Sequence, residues 1–323
     1  MKETVLNSSI NANYKIAGYI YDDIKNADAN GKPKGILHIL HGMTDYLGRY
    51  HKLIDELNDM GYVVCGIDML GHGKTMDLNR ELGLPPGFFG EGKESTRCML
   101  EDEYLFAREV KEKYPDVPMV LYGHSMGSFM ARCMYADAKL SSLYEGFIFS
   151  STMGKNPAVG IGIALSGLAC KSGLSKKPGK FFHWLAFASY NSRYKDKKTN
   201  FDWLSTNTDS VNEYVNDRYS SFCFTNKGFN DMFRFVKQIQ QKESYINHAS
   251  KPCLLVYGTE DPVAGYGKGA HEVCEKYRAA GCDVREKNLG PYRHELLNEK
   301  CGREYIDIVI DFTREMTGNA SRE

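Results

Sequence analysis

Short, apolar, β-branched runs alternate with helical periodicities along most of this chain, and that alternation restricts its fold more than any other feature. The runs GILHIL, Tyr62 to Ile67 (YVVCGI), MVLY, EGFIFSS and KPCLLVYG are bounded by turn residues. Most are separated by stretches with apolar residues at helical spacing. GRYHKLIDELNDMG ends on Gly61 as a C-cap, and the pattern from Ser95 to about Tyr114 places acids early and lysines late, as a helix dipole prefers. Strands that are apolar throughout, with helices between them, predict a mostly parallel sheet covered on both faces. A first strand is expected over residues 12–22, followed by a hairpin loop DIKNADANGKPKG. Residues 77–92 read as a Gly/Pro-bearing loop.

The rhythm stops near Ser151. No buried strand is evident for about 100 residues, although helical patterns continue, the first being AVGIGIALSGLAC with Asn156-Pro157 at its start. Strand and helix resume with KPCLLVYGTEDP, a helix from about 267 to 280, the strand DVREKNL and a final helix REYIDIVIDFTREM. The expected organisation is an α/β core formed by 1–151 and 250–323, with a helical insertion at 152–249.

Lys plus Arg equals Asp plus Glu at 41 each, so no global field draws the chain to nucleic acid. Nine cysteines occur without a CxxC pair, which gives no support to a zinc or dithiol site and fits reduced, buried thiols. No apolar leader and no run long enough to span a bilayer is evident. The expectation is a cytoplasmic protein needing no metal or cofactor.

Gly123-His124-Ser125-Met126-Gly127 matches G-x-S-x-G, and MVLY before it with a helix after it supplies the strand-turn-helix setting of a nucleophile elbow. A serine hydroxyl is a weak nucleophile and needs a base, itself oriented by an acid. In the chain order Ser, Asp, His, Asp261 after CLLVYGTE and His294 after VREKNLGPYR leave the carboxyl ends of strands, where such sheets gather their chemistry. Glu260 is the rival acid; Asp261, followed by Pro262, suits a fixed turn better. His124 is expected to face away from the nucleophile, and His72, between two glycines, to be structural. His271 falls on a helix and His248 near the end of the insertion. Two backbone donors for a developing oxyanion are expected at the N–H groups of Met126 and Met43.

Read together, HGMTDYLGRY (41–50), DMLGHG (68–73), GHSMG (123–127), GTEDPV (258–263), YRHELLNE (292–299) and FDWLS (201–205) resemble the monoacylglycerol lipase and lysophospholipase branch of the α/β hydrolases, also described as serine aminopeptidase-like. The resemblance spans nearly the whole chain. It implies an α/β-hydrolase fold, a helical cap over the site and hydrolysis of carboxylic esters carrying one acyl chain. It also implies a Ser125, Asp261, His294 triad with Met43 and Met126 as oxyanion donors. A small-ester esterase, a peptidase or amidase with the same triad, an acyltransferase and a non-catalytic scaffold are the competing readings. The apolar AVGIGIALSGLAC and the cluster Phe181, Phe182, Trp184, Leu185 and Phe187 would serve an acyl pocket, or a peripheral membrane contact flanked by Lys176, Lys177 and Lys180.

Overall fold

The computed structural model describes residues 1–195 and 197–318; residues 319–323 of the expected core lie outside them. In chain order the elements are β1 (Lys2–Ser8), β2 (Asn11–Tyr21), β3 (Gly35–Leu40), α1 (His51–Asp59), β4 (Tyr62–Asp68), α2 (Gly73–Leu78), α3 (Ser95–Lys113), β5 (Met119–His124), α4 (Met126–Tyr135) and β6 (Gly146–Ser150). Then follow α5 (Val159–Ala169), α6 (Lys180–Phe187), α7 (Thr208–Asn216), α8 (Asn226–Ile239), α9 (Glu243–Ile246), β7 (Cys253–Tyr257), α10 (Lys268–Ala279), β8 (Val284–Asn288) and α11 (Gly302–Met316). The eight strands form one sheet in the order β1-β2-β4-β3-β5-β6-β7-β8. β3 to β8 run parallel, and β1 and β2 are antiparallel additions at one edge.

Strand alternation divides the core between the two sheet faces. Ile36, Val63, Met119 and Leu121 pack on one face, while Leu37, Val64, Val120 and Tyr122 pack on the other. Both faces are covered by helices, so β3 to β7 are buried along their length, which is why they read as unbroken apolar runs. α1 stops at Gly61 with φ 94°, where the Gly61 N–H donates to Asn58 O at 3.1 Å; a Cβ there would meet Asn26 O at 2.0 Å.

Two expectations need correction. β2 and β3 are not a hairpin: β4 lies between them, antiparallel to β2 and parallel to β3. The hairpin is made by β1 and β2, and β1 escaped notice because KETVLNS is an edge strand whose residues are mostly exposed and polar, with no apolar run to betray it. Within 77–92, α2 reaches Leu78 and a 3-10 turn spans Arg80–Leu82 before the loop proper.

All described regular structure between β6 and β7 is helical or 3-10/π turn, apart from one isolated bridge, Pro178 to Thr225. The buried Arg132 of α4 reaches both roots of this segment, donating to Met153 O (2.8 Å), Ile239 O (3.0 Å) and Tyr245 Oη (3.0 Å). No described helix is long and apolar enough to cross a membrane.

A buried polar cluster crosses the sheet face beneath α3. His38 of β3 places Nδ1 2.9 Å from Tyr144 Oη and Nε2 3.1 Å from Glu103 Oε2, and neither side chain of the His38–Glu103 pair is exposed. Burial pushes His38 down to about 3, so its imidazole is neutral at pH 7, and pushes the Glu103 carboxyl well above the usual carboxylate range. A carboxyl protonated in the native state but ionised when unfolded stabilises fully below about 4.3 and loses that contribution as pH rises above it. The His38 contribution has the opposite sign and is complete by neutral pH. Glu103→Gln, which keeps a donor for His38 Nε2, is therefore expected to raise Tm at pH 8 more than at pH 5. Thermal unfolding across that range checks this; an equal or lower Tm in the variant at pH 8 would contradict it.

Candidate active site

Ser125 sits between β5 and α4 with φ 52° and ψ −120°, a conformation L-residues rarely adopt. The turn is tight because its flanking glycines leave no room. A Cβ on Gly123 would lie 2.4 Å from Gly127 O, and one on Gly127 would lie 2.1 Å from Leu40 O. Ser125 N–H donates to Ser150 O of the neighbouring strand at 3.0 Å, and its carbonyl accepts from Ser128 N–H (2.9 Å) and Phe129 N–H (3.2 Å). Thr44 after β3 (φ 50°) and Ser151 after β6 (φ 52°) carry the same kind of strain, so the segments leaving three adjacent parallel strands each hold a positive-φ residue beside the site.

His294 lies in the loop after β8 and Asp261 in the loop after β7, and both are buried. His294 Nδ1 is 3.0 Å from each carboxylate oxygen of Asp261, and Asp261 Oδ1 also accepts the Val263 N–H at 2.8 Å. Glu260 is anchored differently: its backbone oxygen accepts from Tyr194 Oη at 2.5 Å. Ser125, His294, Met43 and Met126 line one cavity of about 290 Å³. Among the described residues no hydrogen bond joins Ser125 Oγ to the His294 ring; such contacts are often loose before substrate binds. Met126 is the first residue of α4, so helix geometry leaves its N–H without an intrahelical partner.

His124 does not face away from the nucleophile. It lines the same cavity, with its ring centroid 4.8 Å from that of His294. Strand alternation fixes a side chain's direction only within the strand, and His124 is the residue at which β5 gives way to the elbow. Burial and then the neighbouring His294 push it down to about 4, so it is neutral and adds no charge beside His294. His72 is buried away from the cavity's chemistry, with Nδ1 3.1 Å from Leu70 O and its ring stacked 5.6 Å from Phe89. His271 pairs with Glu286 on the surface, and His248 Nε2 donates to Ala280 O at 3.1 Å.

Sequence reasoning missed a charged network that fixes the loop carrying His294. Arg49 forks onto Glu295 at 2.8 and 2.9 Å and reaches Asp45 at 3.2 Å, while Tyr50 Oη donates to Asp45 Oδ2 at 2.7 Å. Burial alone would raise both carboxyls, but Arg49 holds Asp45 and Glu295 below their usual range. Arg49 also lies 4.8 Å above the Tyr214 ring, and Tyr214 in turn hydrogen-bonds Thr44. Arg49 and Glu295 lie in HGMTDYLGRY and YRHELLNE, but 246 positions separate them and no local pattern could pair them. On the far side of His294, Arg293 donates to Asp202 O (2.7 Å) and Ser205 O (3.1 Å), and Glu295 N–H donates to Leu204 O (2.7 Å). The FDWLS stretch thus grips the histidine loop, and the Trp203 ring lies 5.0 Å from the His294 ring.

Truncating Glu295 would remove the two-point carboxylate partner of the buried Arg49 guanidinium and leave it only the longer contact to Asp45. Glu295→Ala is expected to cost about 3–5 kcal/mol of stability, read from urea denaturation. A loss below about 1 kcal/mol would show the pair to be no stronger than a surface ion pair.

A family model described as serine aminopeptidase, S33, matches residues 31–301. The mouse (Mus musculus) monoglyceride lipase is 27% identical over 131 residues, which is 38% of this chain and 37% of that protein. The chain's match therefore spans little more than a third of the length of that curated relative. A solved structure of a highly thermostable carboxyl esterase from Bacillus coagulans, in complex with glycerol, superposes with a TM-score of 0.88 at 26% identity, covering 98% of each chain. A soluble variant of the Saccharomyces cerevisiae monoglyceride lipase, bound to a substrate analogue, gives 0.70 at 16% identity over 99% of this chain and 97% of that one, which speaks to the fold alone.

Proposed function

The chain belongs to the serine aminopeptidase (S33) family of α/β hydrolases, and from that premise we propose that it hydrolyses carboxylic esters through an acyl-enzyme on Ser125, with monoacyl lipids as the substrate class. His294 Nε2 takes the Ser125 Oγ proton as Oγ attacks the ester carbonyl. The tetrahedral oxyanion is met by the N–H groups of Met43 and Met126. His294 returns the proton to the leaving alcohol, and water then releases the acid by the same steps. Asp261 holds the imidazole in the tautomer whose Nε2 can accept, and stabilises the imidazolium that forms.

The observation that carries the substrate class is the two-sided lining of the cavity. Met153, Val159, Phe187, Met232, Phe233 and Val236 come from the 152–249 insertion, which we read as a cap. The charged members Asp45, Arg49 and Glu295, with Thr44, come from the loops after β3 and β8, while the polar members from the insertion's described residues, Asn156, His183, Ser189 and Asn200 among them, include no Asp, Glu, Lys or Arg. An apolar acyl chain fits under the cap, with the alcohol toward the loops. A peptidase of this design needs a free carboxylate to hold a substrate ammonium. Both acids lining the cavity are already taken by Arg49, which favours esters over amino-terminal peptides.

A p-nitrophenyl ester series from acetyl to palmitoyl, with 1-monoacylglycerols and lysophosphatidylcholine alongside, tests the reading. kcat/KM is expected to rise by at least about tenfold from acetyl to medium or long chains, as a few buried methylenes allow. An acetyl preference would restrict the enzyme to small esters.

A further inference from the structure

We infer that the outer face of α5 and α6 docks on an anionic lipid bilayer, holding the cavity that these helices line against the surface from which acyl substrates come. α5 is inverted relative to an ordinary surface helix. Its Ser166 is buried, donating to Gly162 O at 2.6 Å and accepting from Asn230 of α8 at 2.9 Å. Its outward residues are Ile161 (64% exposed), Leu165 and Leu168 (62%), at the i, i+4, i+7 spacing of a single helical stripe. α6 repeats the pattern. Phe182 packs inward on Phe229 and Phe233, while Phe181 (54%) and Trp184 (63%) point outward.

Seven of the eleven large apolar side chains exposed among the described residues fall within 161–185, so the exposure forms a patch rather than a scatter. Charge follows the same contour. Residues 151–195 contain six lysines and one arginine but no Asp or Glu, in a chain whose charges balance only over its full length. Lys171, Lys176, Lys177 and Lys180 are exposed between and beside the two stripes. An apolar face bordered by lysines, with an outward Trp, fits the headgroup boundary of an anionic bilayer: rings enter and ammonium groups stay at the phosphates. A symmetric contact with a second copy would instead oppose one positive face to another. Continuity with the cavity is direct, because Val159 and Gly162 of α5 and Leu185 and Ala186 of α6 line it. No described helix is long and apolar enough to span the membrane, so the contact is peripheral.

Flotation of the full chain with phosphatidylcholine vesicles, with and without one third phosphatidylglycerol, tests this. The chain is expected to float at least about tenfold more with the anionic vesicles, and fluorescence from Trp184 to shift to the blue, since the other tryptophan, Trp203, is already buried. The triple variant Leu168→Ser, Phe181→Ser, Trp184→Ser should lose this binding while hydrolysing a dissolved short ester at the wild-type rate, which shows that it is folded. Lys176→Ser, Lys177→Ser, Lys180→Ser together should erase the preference for anionic vesicles. Ser125→Ala should float as the wild type does, so failure of docking and failure of the catalytic reading are separable. The inference is overturned if the wild type floats with neither vesicle or equally with both, if the apolar variant binds unchanged, or if sedimentation shows a dimer that this variant dissolves.

Discussion

Ser125→Ala is expected to lower kcat for any ester substrate by about 10⁴–10⁶-fold and to leave the fold in place. The size follows from what the hydroxyl does. Without Oγ no acyl-enzyme forms, and His294 can only direct water at a carbonyl placed for a different attacker. What survives is the contribution of the oxyanion donors and of binding, since removing one triad member leaves them intact. Stability should change little, within about 0.5 kcal/mol, because the strained backbone at φ 52° is held by main-chain bonds to Ser150, Ser128 and Phe129 rather than by the hydroxyl. Steady-state kinetics with a circular dichroism melt checks both halves. A variant that keeps a tenth of wild-type kcat would place the nucleophile elsewhere.

The second large effect is at Asp261. Asp261→Asn is expected to cost about 10⁴-fold in kcat with KM much less affected, following the behaviour of the triad acid in serine proteases. Both Asp261 oxygens lie 3.0 Å from His294 Nδ1, so that nitrogen must carry the proton and Nε2 is left to accept from Ser125. An asparagine amide presents an N–H to the same nitrogen, which favours the opposite tautomer and blocks the acceptor. The adjacent Glu260→Gln supplies the control: its contact to Tyr194 runs through the backbone, so less than about a twofold change is expected. Equal losses in the two variants, or a larger loss at Glu260, would reverse the assignment made from the sequence.

Much of this architecture is legible in the residues because β3 to β7 are buried on both faces and therefore cannot carry polar positions freely. Their apolar runs, and the helices between them, locate the sheet, and the loops at its carboxyl ends locate Ser125, Asp261 and His294. The parts that escaped are those in which local pattern carries little information. β1 is an edge strand with one face in water, so its sequence resembles a polar terminus. Neighbouring strands in sequence usually pair, which makes β2 and β3 read as a hairpin, yet the long loop between them leaves room for β4. His124 turns toward His294 at the point where strand periodicity ceases to apply. The Arg49–Glu295 fork is a long-range pairing of two residues that look like ordinary surface charges when read alone. That fork ties the His294 loop to the segment after β3, where Met43 also lies.

The most direct test of the central claim is the site of covalent modification by a fluorophosphonate, an acyl-transfer trap that reacts only with an activated nucleophile. Incubation followed by intact mass and peptide mapping should show one adduct per chain, on Ser125, with none on Ser125→Ala and a much slower adduct on Asp261→Asn. Labelling of another serine, or an unmodified chain under conditions where esters are cleaved, would contradict a Ser125 acyl-enzyme.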